Sequence, residues 1–367
     1  MNALTEEWPA ARVFHLTGGA RATNLTSPEV SFEPFLVSGQ PFKFTGRDFR
    51  SIPAEIQALG FKIIGVDHYT SRMELDGQFP PDWRILMPNW LAWEQGQVWS
   101  RIANAAYGTK NGHAWDLAAR ISHQFRVCDW RVRQICGAYA EQLLARVKQG
   151  DAKDGLRFED GFTELAYIAI QSYLIDACIL RDYVAEFIAN VIWTIHGVEN
   201  ERPSTTMGSL IRRVLPRIPR PNQLASLVES STSGDGWLKK LGAYRDLVVH
   251  AAPLKMAGGR LVGLIEERSL PSGQSMAILR LPVPVNPLEL ITERSSQQLF
   301  ADFSEHVKAL INSVLGKTAW VDALDYVASV HHQLSDFASK VAAESPVKGT
   351  IITITDADIF GEIRIKH

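Results

Sequence analysis

The stretch from Phe162 to His196 constrains the fold most, because it is a long helical pattern and the most apolar part of the chain. Its apolar side chains recur every three or four residues, which is the period of an α-helix. The polar residues gather within about 100° of arc on a helical wheel. They are Glu164, Gln171, Asp182, Glu186 and Asn190. The pattern predicts a central helix with other elements on most of its sides, and the polar stripe argues against a membrane span.

Further helical patterns predict the neighbours of this helix. They run from about 111 to 149, from 237 to 252, from Pro287 to about 315, and from about Trp320 to Ala343. Two β-like runs on either side of Pro271-Ser272-Gly273 predict a hairpin at about 260–283, inserted between helices. We therefore expect a helical domain over residues 106–345.

The two ends of the chain have a different composition. Residues 1–105 are rich in Pro, Gly, Phe and Thr and contain short apolar runs such as Phe61–Val66, which predict a small α+β region. Residues 346–367 alternate like two strands about a turn and predict a β-strand tail. The fold class expected for the whole chain is mainly α.

Composition limits the classes of partner. Of the 367 residues, 46% are hydrophobic and 21% charged, as in a soluble globular protein. A net charge of −2 means that any RNA contact must come from a local basic patch. The three cysteines have no metal-ligand spacing and predict reduced core thiols in a cytoplasmic protein. The N-terminus lacks a signal-peptide pattern, and we expect no membrane partner.

Several aromatic and ionisable residues stand outside any motif. Four tryptophans between Trp83 and Trp99 are expected to pack the N-terminal region onto the helices, with an RNA-stacking surface as the alternative. The adjacent His331 and His332 point in different directions on a helix, which argues against a shared metal site. The arginines of the helix over 111–149 are spread around its wheel and indicate a solvated exterior. They are Arg120, Arg126, Arg131 and Arg133.

The helix from Trp237 to Pro253 carries the candidate catalytic residues. On a helical wheel, its apolar residues fall on one side, while Asp246 and His250 fall nearly opposite. Their spacing of four residues lets the carboxylate hydrogen-bond the imidazole and fix its tautomer. Arg245 lies between the two faces, and its long stem can reach either side.

This helix resembles the HEPN superfamily. The chain reads Arg-Asp-Leu-Val-Val-His from Arg245 to His250, which is similar to the Arg-x(4-6)-His signature of that family, and it follows a long apolar helix. The resemblance extends from about 110 to 315. It implies an up-down helical bundle and a homodimer with its site at the interface. Many members are metal-independent RNases of toxin, antiphage or CRISPR systems, and others only bind.

The resemblance also suggests supporting residues. Polar residues on the early core helix of HEPN domains often support the Arg/His pair, which makes Asp176, Asp182 and Glu186 candidates by position, with ordinary surface charges as the alternative. Between the two core helices lies the most basic short stretch of the chain, suited either to phosphate binding or to a solvated loop. Its arginines are Arg212, Arg213, Arg217 and Arg220.

Other chemistries lack their motifs. The chain has no Walker loop, dinucleotide loop, His-Glu-x-x-His or Gly-x-Ser-x-Gly, and Thr17-Gly18-Gly19-Ala20-Arg21 lacks the lysine of a phosphate loop. The first hypothesis is a metal-independent endoribonuclease without a cofactor, a toxin or defence effector that could have an antitoxin or defence partner. In it, His250 transfers protons, Arg245 holds the phosphate and Asp246 orients His250. The second is a non-catalytic HEPN-like binding or scaffold protein.

Overall fold

Helices dominate the described part of the computed structural model, which comprises residues 11–24, 29–33, 42–45, 51–85, 91–195, 202–251, 254, 263–271, 273–289, 291 and 320–349. The helices are α1, Ser51–Ala58; α2, Arg72–Leu75; α3, Leu91–Gly108; α4, Gly112–Lys148; α5, Gly161–Phe187; α6, Trp193–Ile195; α7, Met207–Ser209; α8, Gln223–Thr232; α9, Trp237–Asp246; and α10, Ala323–Ala343. Sheets accompany them, so the architecture is mixed α+β and mainly helical.

The N-terminal strands form one antiparallel sheet in the order β4-β3-β2-β1-β5-β6. The strands are β1, Ala11–Leu16; β2, Arg21–Asn24; β3, Glu29–Glu33; β4, Lys43–Thr45; β5, Ile63–Tyr69; and β6, Asp82–Ile85. Helix α1 covers the sheet with Ile52 and Ile56, which share a core with Phe14 and Phe32. The sheet and α1 agree with the expected small α+β region.

The remaining strands belong to two small sheets. They are β7, Arg157–Phe158; β8, Gly263–Ser269; β9, Ser275–Arg280; β10, Pro282–Pro284; and β11, Trp320–Asp322. Strands β8 and β9 form the predicted hairpin, and β7 adds a third strand beside β8. Strand β10 pairs with β11 just before α10 begins. Helix α10 therefore starts at Ala323, a few residues later than the sequence pattern indicates.

The predicted central helix is α5, which packs against α4, α9 and α10. Its fully buried side chains include Tyr173 and Leu174. The predicted polar stripe is at least partly exposed, but a second, apolar part of the surface is exposed as well. Leu165 and Ile168 are 59% and 56% exposed. The helix is thus less completely surrounded than its composition predicts.

One helical stretch, Gly161–Ile192, is long and apolar enough to cross a membrane by length and composition alone, with a mean hydropathy of 1.3 in its most apolar window. It comprises α5 and a π-helical turn at Ile188–Ile192. In that window, 50% of the residues are buried inside the protein. A helix in the core of a protein passes the same test of length and composition.

The glycine-rich stretch between β1 and β2 packs against the helical domain. Gly18 and Gly19 have positive φ angles of 76° and 81°, which glycine adopts without strain. A Cβ atom on Gly19 would lie 2.9 Å from the backbone carbonyl of Tyr139 on α4, and one on Gly18 would lie 2.7 Å from the Ile278 side chain on β9. These glycines let the loop after β1 pack closely against α4 and β9. This packing explains the two glycines, and no phosphate-binding role is needed.

A buried ionic network also joins the sheet to α4. Asp67 on β5 accepts two hydrogen bonds from the Arg133 guanidinium, at 2.8 and 3.0 Å, and lies 3.1 Å from His15 Nε2 on β1. Trp83 on β6 is buried against His15 and donates from Nε1 to the carbonyl of Asp129. Trp83 and Trp99 therefore pack as expected, whereas Trp90 and the Trp93 side chain lie outside the described residues.

The boundaries of the helical body differ from those expected at one end. Helix α3 packs against α4 and α10, so the body begins near Leu91, before residue 106. Of the helix expected between Pro287 and 315, only residues 287–289 and 291 are described, and they are helical. The expected strands after residue 349 lie outside the described residues.

The three cysteines are free and buried, as expected.

Candidate functional site

Helix α9, which carries Arg245 and Asp246, buries one face, as its sequence predicts. Leu241 and Tyr244 are fully buried, and the Tyr244 hydroxyl donates to the carbonyl of Pro284. After α9 ends at Asp246, the chain continues as a π-helical turn over Leu247–Ala251. In this turn His250 is exposed. Arg245 and His250 therefore lie in different kinds of helix, and an ideal α-helical wheel does not describe their relative orientation.

Asp246 pairs with Arg245, not with His250. Arg245 Nε lies 3.2 Å from Asp246 Oδ1, with side-chain exposures of 34% and 47%. The contact is an ion pair with poor hydrogen-bond geometry, since the Nε–H group of Arg245 does not point at the Asp246 oxygen. Within the described part of the chain, His250 makes no hydrogen bond to Asp246, so the expected carboxylate–imidazole contact is not formed. The π-helical turn has i→i+5 hydrogen bonds and more residues per turn than an α-helix. The side chains of Asp246 and His250 are therefore no longer stacked one turn apart.

Arg245 lines a cleft of about 420 Å³ between α5, α9 and the segment after α7, which we call the motif cleft. Four cationic side chains and two carboxylates line it. They are Arg181, Arg212, Lys239, Arg245, Asp182 and Asp246. His250 does not line it. The cleft has an excess of positive charge, in a chain whose net charge is −2. It is therefore a local basic patch, in which Arg181 and Arg245 each contact one of the two carboxylates.

The floor of the motif cleft comes from the central helix. Arg181 on α5 is 7% exposed and contacts its neighbour Asp182 through Nη2 at 2.9 Å. The same Asp182 carboxylate accepts from the backbone N–H of Met207 at 3.0 Å, which holds the start of α7 against α5. Gly242 of α9 faces this site, and a Cβ there would lie 2.8 Å from Arg181 Nη1. Glycine thus lets α9 pack over the buried guanidinium.

The other candidate supporting residues lie elsewhere. Asp176 accepts from Arg131 Nε on α4 at 2.8 Å, so it joins the two long helices. Glu186 lies near His113 and Arg120, and burial raises the pKa of its carboxyl. Of the three carboxylates suggested by position on α5, only Asp182 lines the motif cleft.

The four basic-stretch arginines also have different surroundings. Arg212 lines the motif cleft and donates through Nε to the carbonyl of Gly208 at 3.1 Å. Arg213 donates to the carbonyl of Pro203, and Arg220 forms an ion pair with Glu229. Arg217 is exposed. The basic stretch therefore brings one guanidinium to the cleft rather than four.

Sequence reasoning also missed a His/Asp contact between α4 and α10. His331 Nε2 on α10 lies 2.8 Å from Asp129 Oδ1 on α4, and His331 is fully buried. Burial raises the pKa of Asp129, and the contact with His331 opposes that rise. The only sequence signal was the position of His331 on the apolar side of a predicted helix. No local spacing links residues so far apart.

Comparisons with known proteins give no match to this chain. No protein-family model, no curated protein and no solved structure matches it. The chemistry available to the motif cleft is therefore that of its own side chains.

Proposed function

We propose that this protein is a metal-independent endoribonuclease of HEPN type, with an up-down helical bundle that dimerises. The observation that carries the proposal is the position of Arg245 in a cleft with three further cationic side chains, while His250 is exposed within the following turn. Arginine binds phosphate with two parallel hydrogen bonds, and several guanidinium groups stabilise the charge of a pentacovalent phosphorus.

The reaction uses only groups that the chain and RNA supply. His250 takes the proton of the 2′-hydroxyl, and the 2′-oxygen forms a bond to phosphorus while the bond to the 5′-oxygen breaks. The imidazolium can return its proton to the leaving 5′-oxygen. Arg245, with Arg212 beside it, holds the phosphate and stabilises its developing charge. The products are a 2′,3′-cyclic phosphate and a 5′-hydroxyl.

A shared site across a homodimer explains why His250 does not line the motif cleft of its own chain. A two-fold axis would bring His250 of one copy to Arg245 of the other. The exposed surface around Val249 and His250 is the face that we expect to meet the second copy.

The second candidate is an RNA-binding protein without catalytic activity. The observation that favours it is the contact of Asp246 with Arg245, because His250 is then left without the carboxylate that would orient it. In this case the motif cleft binds phosphate, and no bond is broken.

The experiment that tests the proposal is digestion of tRNA and total RNA by the full-length protein in the presence of EDTA. We expect cleavage that survives chelation and leaves 2′,3′-cyclic phosphate ends, and we expect Arg245→Ala and His250→Ala to abolish it. RNA bound without cleavage would support the second candidate. Cleavage that is lost to EDTA and restored by Mg²⁺ would contradict the first.

Mixing the two inactive variants tests the shared site. A mixed dimer of Arg245→Ala and His250→Ala chains keeps one intact Arg/His pair across the interface and none within a chain. Activity should therefore return in part. An inactive mixture with heterodimers confirmed by mass spectrometry, or a monomer by light scattering, would contradict the shared site.

A further inference from the structure

A second polar groove runs along the outer side of α4 and is distinct from the motif cleft. It consists of two cavities of about 320 and 550 Å³ that share Arg126 and Trp130, and we call it the α4 groove. Volumes of this order are typical of small-molecule sites. None of the residues that line it lines the motif cleft.

Trp130 offers the α4 groove an aromatic surface. Its side chain is 44% exposed, which is unusual for a tryptophan on a core helix. The guanidinium of Arg133 lies over the ring at 5.5 Å from its centroid, and the same guanidinium is fixed by its two hydrogen bonds to Asp67. The ring is therefore held in place by a cation whose own position is set by the sheet. A planar ligand could stack on it without ordering the side chain first.

Arg126 is the cation available to an anionic ligand. It is exposed and lines both cavities. The neighbouring Arg131 and Arg133 are already paired with Asp176 and Asp67. Among the described residues, Arg126 has no such carboxylate partner. Its charge is thus free to bind phosphate in the groove.

Asp129 provides a fixed hydrogen-bond acceptor beside these two groups. Its Oδ1 is buried and lies 2.8 Å from His331 Nε2, while the side chain as a whole is 22% exposed and lines the smaller cavity. The other carboxylate oxygen can therefore accept from a ligand. Arg126, Asp129 and Trp130 stand at positions i, i+3 and i+4 of one helix, which places them side by side on one face.

We propose that the α4 groove binds a nucleoside monophosphate, with the base on Trp130, a base N–H on Asp129 and the phosphate on Arg126. Each nucleobase carries a π face and at least one N–H donor on its edge, and the phosphate supplies the anion. A sugar phosphate lacks the aromatic base that stacks on Trp130, and a free base lacks the phosphate that binds Arg126. The proposal does not rest on the ribonuclease function, because it uses none of the residues of the motif cleft.

The test is isothermal titration calorimetry of the full-length protein with AMP, GMP, CMP and UMP, alongside ribose 5-phosphate and inorganic phosphate. At least one nucleotide should bind roughly tenfold more tightly than ribose 5-phosphate, as expected for one base stacked on an aromatic ring. Trp130→Leu and Arg126→Gln should each weaken nucleotide binding by roughly tenfold. Arg120→Gln is the matched control, because Arg120 is on the same helix but pairs with Asp116.

Other results would overturn the proposal. They are no nucleotide binding, equal binding of nucleotide and ribose 5-phosphate, or nucleotide binding that is unchanged in both groove variants with their helical circular dichroism intact. Arg245→Ala separates this proposal from the ribonuclease proposal, because it should abolish RNA cleavage and leave nucleotide affinity unchanged. Loss of nucleotide binding in Arg245→Ala alone would assign the ligand to the motif cleft and overturn the α4 groove site.

Discussion

The pair Asp246 and His250 and the pair Asp129 and His331 behave in the opposite way from what their spacing in the sequence suggests. Asp246 and His250 are four residues apart on one predicted helix, yet they do not hydrogen-bond, and both side chains reach solvent. Asp129 and His331 lie on different helices far apart in the chain, yet their side chains meet at 2.8 Å. Proximity in sequence therefore failed to predict the contact that matters to the core.

The difference follows from the competition that each carboxylate meets. Asp246 is at the surface, where water and the adjacent Arg245 both compete for its oxygen atoms, so an i, i+4 imidazole contact is worth little. Asp129 Oδ1 is buried, where a carboxylate oxygen without a polar contact is costly, and its 2.8 Å contact with His331 Nε2 is a close polar contact without good hydrogen-bond geometry. A buried polar group depends on its partner more strongly than an exposed one does.

The largest expected effect comes from breaking the buried pair. His331→Ala leaves Asp129 without its partner in the core and removes a fully buried side chain, which should lower the free energy of unfolding by roughly 3–5 kcal/mol. His250→Ala is the matched control, because the side chain is exposed, and it should change stability by under about 0.5 kcal/mol. Urea unfolding followed by circular dichroism measures both. Equal losses in the two variants would contradict the comparison.

A second buried carboxylate extends the comparison to pH. Asp322 lies at the start of α10, where Tyr139 Oη donates to it at 2.8 Å, and burial raises its pKa to about 7. In the unfolded chain its pKa is about 3.9. The folded state therefore binds the proton more tightly, and the contribution of Asp322 to the free energy of unfolding should fall as pH rises from about 4 to 7.

Asp322→Asn removes this titration and keeps an oxygen acceptor for Tyr139. The stability of the variant relative to the natural chain should rise by roughly 2–4 kcal/mol from pH 4 to pH 7 and then level off. Guanidinium unfolding at several pH values measures the difference. Parallel pH profiles for the two proteins would show that the proton on Asp322 does not contribute to stability.

The contrast also marks how far the sequence predicts this fold. The spacing of apolar residues in the sequence correctly predicted α5 as the central helix and β8 and β9 as a hairpin, because each depends on a local pattern. It missed the exposed Leu165 and Ile168, since a helical pattern does not reveal which apolar positions have neighbours to cover them. The π-helical turn after Asp246 was missed because local periodicity assumes regular α-helical geometry.

The candidate site was predicted in part for the same reason. Arg245 and Arg212 lie together in the motif cleft, but their meeting depends on the packing of α9 against the segment after α7. Nothing in the basic stretch itself distinguished Arg212 from Arg220, which pairs with Glu229. Long-range partners such as Asp129 and His331 have no signal in a single sequence.

A smaller effect should separate two arginines that the sequence treats alike. Arg212→Ala should weaken RNA binding several-fold and reduce the slope of log affinity against log salt by about one, because one phosphate contact is lost. Arg220→Ala should leave both nearly unchanged, since its guanidinium is paired with Glu229. Fluorescence anisotropy with labelled RNA at several salt concentrations measures both. Equal salt-dependence slopes for the two variants would mean that Arg212 is a solvated loop residue that does not contact phosphate.

The smallest expected effect tests the role of Asp246 directly. Asp246→Asn should change the free energy of unfolding by less than about 0.5 kcal/mol, because its contact with Arg245 is partly exposed and poorly aligned. Removing a negative charge from the motif cleft should at the same time tighten RNA binding roughly two- to threefold at low salt. Weaker cleavage with unchanged RNA binding would instead mean that Asp246 orients His250 when RNA or a second copy is bound. The two roles thus predict different outcomes in the same pair of measurements, one of RNA affinity and one of the cleavage rate.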